Sequence, residues 1–298
     1  MRVILDTDIG TDVDDCLALA LLLAAPQIHL EAITCVYADV ALRGRMVQRL
    51  LDLAGRSDVP VALGASQPLL GLRPLFWGGH EGQGLLDREA PLRVDVRHAS
   101  DVIIDLVRAN PGEIQLLAIG PLTNVALAFL KAPEIAGMLA GLTIMGGVLR
   151  NNAAFELPPA EHNIICDPEA ADIVLRAGVR VRLIPLDVTT QVQIDRAGLA
   201  QIAARDTPFH RAVAQQLADY PPFAARGWTH LHDPLAAAAL LDPTLCQWTP
   251  LHVAVETGGR HAVGATIGWV PRDDRPANAD VALDLDAAHF VRWYVEHV

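Results

Sequence analysis

Short apolar runs alternate with longer amphipathic ones along most of the chain. Val3, Ile4 and Leu5 form a β-rich run of the kind that a strand buried on both faces requires. Residues 16–23 are apolar throughout and predict a buried helix that ends ahead of Pro26. A second strand follows at 28–36, then a helix at 40–54 with Leu42, Met46, Leu50 and Leu53 on one face. The alternation continues with a short strand at 59–63, a glycine-interrupted loop over 66–97, a helix at 99–109 and a strand at 114–119. A helix at 122–130, a strand at 142–145, a helix from 168 to 177 and a strand at 179–186 complete it. Such βα alternation predicts an α/β fold: an open, mostly parallel, Rossmann-like central sheet with helices on both faces. Residues 195–219 read as helical without strands, a helical insertion or cap. A helix at 233–241, strands at 251–255 and 266–270 that pair antiparallel, and a closing helix at 289–298 follow. No stretch rich in Gly, Pro or Ser divides the chain, so a single domain over 1–298 is expected.

Composition narrows the classes. A hydrophobic fraction of 52% in 298 residues supports a sizeable core. The net charge of −12 argues against a nucleic-acid partner, which would need clustered Lys and Arg. Cys16, Cys35, Cys166 and Cys246 lie far apart, as reduced cysteines of a cytosolic protein do. Asp6 interrupts the N-terminus too early for a signal peptide, and no apolar run reaches membrane-spanning length. A cytoplasmic protein without membrane contact is the expectation.

The candidate chemistry begins where the first strand ends. Asp6, Asp8, Asp12, Asp14 and Asp15 fall within ten residues, with Gly10 allowing a sharp turn between them. Capping and the helix dipole account for two or three carboxylates at a helix start. Five repel one another unless a cation neutralises them, and Ca²⁺ or Mg²⁺ prefers such oxygen ligands. An EF-hand register fails, because counting from Asp6 puts Thr11 at the glycine position and Leu17 at the glutamate. A haloacid-dehalogenase-like phosphotransferase also opens on a strand and Asp-x-Asp, although Gly10 stands where that family has Thr or Val.

Further polar clusters fall where parallel strands end and ligands collect: Tyr37 to Val40, Gly120 to Asn124, and Met145 to Gly147. Together with the acidic turn they resemble, over almost the whole chain, the inosine-uridine preferring nucleoside hydrolase family. Asp6-Thr7-Asp8-Ile9-Gly10 resembles its Asp-x-Asp-x-Gly turn, with Asp14-Asp15 as the Asp-Asp pair two residues later than in the shortest version. Gly120-Pro121-Leu122-Thr123-Asn124, Met145-Gly146-Gly147 and the Glu161-His162-Asn163 clamp resemble its later motifs. So do His232-Asp233 and the closing Pro276 to Val281 segment.

The resemblance implies hydrolysis of the N-glycosidic bond of a purine or pyrimidine ribonucleoside. It implies Ca²⁺ held by Asp8, Asp15, Asp233 and the Thr123 carbonyl, with Asp8 as general base. Asp14, Glu161 and Asn163 would grip the ribose, and His80 would belong to the loop over the 5′ end of the sugar. Asp39, an expected substrate contact, stands where many members have an Asn that hydrogen-bonds near the ribose or the water, and as a carboxylate it only accepts hydrogen bonds. Either Asn151 or Asn152 would reach the 5′-hydroxyl. His232 is the candidate acid for the leaving base, with Tyr220, His230 and the His80 loop as alternatives, and a homodimer or homotetramer is the expected assembly. Beside this reading stand a Mg²⁺-dependent aspartyl phosphohydrolase and a ribose- or nucleoside-binding protein without turnover.

Overall fold

In the computed structural model, which describes residues 1–86, 91–150 and 157–298, the apolar runs assemble into one nine-stranded sheet and a separate two-stranded ribbon. In chain order the strands are β1 (Arg2–Thr7), β2 (His29–Cys35), β3 (Val61–Leu63), β4 (Ile114–Ala118), β5 (Gly141–Met145) and β6 (Val181–Ile184). Then come β7 (Gln193–Asp195), β8 (Trp228–His230), β9 (Cys246–Val255), β10 (Thr266–Trp269) and β11 (Ala279–Leu285). The sheet runs β10-β9-β11-β6-β5-β4-β1-β2-β3. It is parallel from β3 through β11, while β9 is antiparallel to both β11 and β10. Among the described residues no helix is long and apolar enough to cross a membrane.

Alternation along the central strands builds two cores. Leu5 and Leu117 face one, shared with Leu17, Leu21 and Leu235, whereas Ile4 and Leu116 face the other, shared with Val125 and Phe129. The chain winds outward from β1 through β2 to β3, then returns to place β4 on the other side of β1. The strand order therefore reverses at β1, and a crevice opens beyond the carboxyl ends of β1 and β4.

Two helices apolar on every side sit against each other: Asp14–Ala24 and His232–Leu241 are buried along nearly their whole length. Their contact brings the start of each to the crevice. Asn124 ties the rim together, its side-chain nitrogen donating to Asp6 Oδ1 (2.8 Å) and to the Cys35 carbonyl (3.1 Å) while its oxygen accepts from Ala65 N–H (2.8 Å). Beyond β2, Tyr37 (φ 69°) and Ala38 (φ 58°) are both left-handed, a conformation that costs about 1 kcal/mol or more for a non-glycine residue. Their amides donate to Ala65 and Ser66, and Arg43 Nε donates to the Tyr37 carbonyl, which fixes the strained corner beside the crevice.

Several boundaries differ from the sequence expectation. The strand expected over 179–186 stops at Ile184, because Pro185 has no N–H for the ladder and one helical turn, Leu186–Thr189, follows it. The region read as helical without strands holds helices Arg196–Ala203 and Pro208–Asp219; together with Pro221–Arg226 beyond it, they are bracketed by the antiparallel β7–β8 ribbon. Strands of three residues are too short to show alternation. The interior strand β11 also went unread, since Asp280 and Asp284 interrupt its apolar pattern.

Candidate active site

A cavity of about 590 Å³ occupies the crevice, with Asp8, Asp14, Asp15 and Asp233 on its wall together with Glu161 and Asn163. The acidic turn divides its five carboxylates among different tasks. Asp6 is fully buried under the sheet rim, accepting from Thr34 Oγ1 at 2.5 Å and from Asn124, so it is a strut outside the cavity. Asp12 accepts from Val13 N–H (2.6 Å) and from the Tyr220 hydroxyl (2.8 Å), joining the turn to the helical insertion. Asp14 and Asp15 lie in the first turn of their helix, yet the capping position belongs to Val13 and no side chain caps it. Capping therefore does not explain this pair. Asp233 is placed in the same way, behind the uncapped Leu231, and its N–H donates to Asp14 Oδ2 at 3.2 Å.

One oxygen from each of Asp14, Asp15 and Asp233 lies within 4.8 Å of the others, and all three residues are buried. Burial first, then the charges of the neighbouring aspartates, pushes all three carboxyls well above their ordinary value of 3.8. The donor set is all oxygen, and the repulsion is what a hard divalent cation relieves. Asp8 is buried alongside, and its charge is among those raising each member of the cluster. The buried Arg43 stands 4.0 Å from Asp8 and is fixed by donating to the Ile9 carbonyl (2.8 Å) and Thr11 Oγ1 (3.2 Å).

The opposite wall is built by the short helix His162–Cys166, which Glu161 caps by accepting from Asn163 N–H (2.8 Å) and Ile164 N–H (3.1 Å). Glu161 also accepts from Gly147 N–H at 3.1 Å. Asn163 donates its amide to the Ile119 carbonyl (2.9 Å) and the Met145 carbonyl (3.2 Å), which leaves its Oδ1 for a ligand. His80 reaches the cavity from the loop, its Nε2 3.0 Å from the Thr11 carbonyl.

Behind Asp8 the packing is close. A Cβ on Gly120 would lie 2.9 Å from the Asp8 backbone nitrogen, its Oδ1 and Val36 Cγ1. Gly120→Ala is expected to displace Asp8 and lower kcat by roughly ten- to a hundredfold, with the circular dichroism spectrum unchanged. Steady-state kinetics on the purified variant checks this, and wild-type kcat would show that Asp8 tolerates the shift.

The remaining sequence-predicted residues fall at, beside or outside the cavity. Asp39 is exposed, caps the helix Val40–Leu53 through Leu42 N–H (2.9 Å) and does not line the cavity, so it is a capping residue and not a sugar contact. Thr123 is buried at the start of its helix, with its hydroxyl donating to Asp167 Oδ2 at 2.7 Å. Asn151 and Asn152 lie outside the described residues. His232 lines the cavity with Nδ1 2.7 Å from Thr189 Oγ1, but burial, then His230 and Arg226, push its pKa down to about 3.

The sequence reading also missed residues. Arg43 occupies the apolar stripe of its helix with Val47 and Leu50, and a charge on that stripe was the available signal. His162, between Glu161 and Asn163, also lines the cavity.

The family model for inosine-uridine preferring nucleoside hydrolases matches residues 3–292. The chain belongs to that family. It is 36% identical to the non-specific ribonucleoside hydrolase RihC of Salmonella newport over 99% of this chain and 97% of that protein. Among solved structures, a purine-preferring ribonucleoside hydrolase from Gardnerella vaginalis superposes with a TM-score of 0.89 at 30% identity, covering 100% of this chain and 98% of the other. A plant nucleoside hydrolase gives 0.86 at 28% identity over 99% and 98%. The Asp14–Asp15–Asp233 cluster matches the calcium site of nucleoside hydrolases, and the chain is a glycosidase of that class. The phosphohydrolase and the turnover-free binding readings are thereby set aside.

Proposed function

We propose that the cavity hydrolyses the N-glycosidic bond of purine or pyrimidine ribonucleosides, with Asp8 as general base and Glu161 and Asn163 holding the sugar. The observation that carries this is the meeting, at one switch-point cavity, of three mutually repelling carboxylates with Asp8 and the Glu161–Asn163 pair. Asp14, Asp15 and Asp233 would hold calcium, and we assign Asp8 and the Thr123 main-chain oxygen beside them. When bound, calcium acidifies and orients a water and takes up sugar hydroxyls.

The chain's own residues supply the rest. Breaking the C1′–N bond leaves an oxocarbenium-like sugar, which the negative wall of Asp8 and its neighbours stabilises. Asp8 accepts the proton of the attacking water as oxygen bonds to C1′. Arg43 fixes the Ile9 and Thr11 segment of the turn that carries Asp8, and Asn163 Oδ1 accepts from a sugar hydroxyl.

The ribose diol is expected to be required. Losing one charge-assisted hydrogen bond costs about 1.5–3 kcal/mol, so 2′-deoxynucleosides should be poorer by roughly ten- to a hundredfold or more in kcat/KM. Paired assays of adenosine against 2′-deoxyadenosine, and uridine against 2′-deoxyuridine, test it. Equal kcat/KM for both sugars would overturn the proposed sugar orientation.

A further inference from the structure

With the diol at the aspartate cluster and Glu161 and Asn163 holding the sugar, the base is left to the wall that Leu186, Tyr220, Pro221 and His232 build. His232 precedes Asp233 of the cluster and opens the helix His232–Leu241. Its ring is held from behind. Nδ1 lies 2.7 Å from Thr189 Oγ1, and Thr189 is fully buried in the helical turn Leu186–Thr189. Asp187 ties that turn to the neighbouring loop by accepting from Leu149 N–H (2.8 Å) and Arg150 N–H (2.6 Å). On the other side, Leu231 N–H donates to the Val192 carbonyl at 3.1 Å. The His230 ring packs on His232 with centroids 5.0 Å apart, and Trp228 packs edge-on against His230 at 5.1 Å. Both members of the Thr189–His232 pair are thus anchored.

Among the described residues, the Thr189 hydroxyl has no other hydrogen-bonding partner, and His232 Nε2 has none. A buried hydroxyl that only accepts would leave its own hydrogen unpaired, so Thr189 donates to Nδ1. The proton of the neutral ring then sits on Nε2, the nitrogen left for a ligand. We infer that Thr189 is the positioning residue that presents the Nε2–H of His232 to the departing nucleobase. The inference rests on the nucleosidase reading above. As the C1′–N bond breaks, its electron pair passes to the base, and a donor aimed at the base takes up the developing charge. A neutral imidazole does so only as the Nε2–H tautomer, because the other tautomer turns a lone pair toward the same atom. The contact also serves the protonated ring, since the threonine oxygen then accepts from Nδ1–H.

The test compares inosine, whose base needs help to leave, with p-nitrophenyl riboside, whose phenolate does not. Thr189→Val removes the hydroxyl and keeps the branched shape, whereas Thr189→Ser keeps the hydroxyl. Thr189→Val should lose roughly ten- to a hundredfold in kcat on inosine and under about threefold on p-nitrophenyl riboside, with KM near wild type for both. Thr189→Ser should return inosine kcat to within about fivefold of wild type. Two-bond proton–nitrogen spectra of the histidine-labelled wild type, with His232→Gln locating the signal, should show His232 protonated at Nε2. Protonation at Nδ1 alone in the wild type, equal losses on the two substrates, or a Thr189→Ser variant as impaired as Thr189→Val would overturn the assignment. Wild-type enzyme inactive on both substrates would instead overturn the nucleosidase reading itself.

Discussion

Asp8→Asn is expected to lower kcat by about 10²- to 10⁴-fold on every ribonucleoside the enzyme accepts, because an amide cannot take the proton of the attacking water. The substitution preserves shape, and Arg43 reaches the turn chiefly through the Ile9 carbonyl and Thr11, so the fold should persist. KM should change far less than kcat if the remaining aspartates still hold calcium and sugar. Calcium titration of the variant separates the two effects. A variant that binds calcium normally and keeps more than about a tenth of wild-type kcat would remove Asp8 from the role of base.

Asp233→Asn should change activity and stability in opposite senses, depending on calcium. With calcium present, loss of one charged ligand should cost on the order of a hundredfold or more in activity and weaken the ion's stabilisation of the fold. At a concentration of a hundred times Kd, that stabilisation is about 2.7 kcal/mol for the wild type. In chelator the order reverses, because Asp233 then repels Asp14 and Asp15 in a buried site. The sign follows from linkage. These carboxyls have folded-state values above the ordinary 3.8, so the folded chain binds protons more tightly than the unfolded one. The resulting stability is complete below pH 3.8 and is lost as pH rises through the raised values. In chelator, wild-type stability should therefore fall as pH climbs above the ordinary carboxylate range, and Asp233→Asn should flatten that fall. Thermal melts of both proteins across pH, with chelator and with calcium, measure it. A variant less stable than wild type in chelator would contradict the repulsion.

Much of this arrangement is legible in the chain. Val3 to Leu5 could only be an interior strand, and the helix that follows could only be buried. Carboxylates placed between two such elements cannot all be solvated, which is why the acidic turn reads as a site. Which carboxylate does what was not legible. Asp6 and Asp8 are two residues apart on one chain, yet one points to Thr34 and Asn124 and the other to the cavity, a division set by the end of β1 at Thr7 and by long-range packing. Asp14, read from the sequence as a ribose contact, stands in the tight cluster with Asp15 and Asp233. Its placement depends on the docking of two helices more than 200 residues apart in sequence. Asp39 shows the opposite failure: a polar residue at a strand end that the local helix claims as its cap.

The central claim is calcium-dependent cleavage of a ribonucleoside between C1′ and the base. Chromatography of reactions with inosine, adenosine, uridine and cytidine, paired with a reducing-sugar assay, tests it most directly. With calcium, free base and ribose should appear in equal amounts from at least one substrate, cease when the ion is chelated and resume when it is restored. Absence of base and ribose from all four, or release that continues undiminished in a protein shown to be free of metal, would contradict the account.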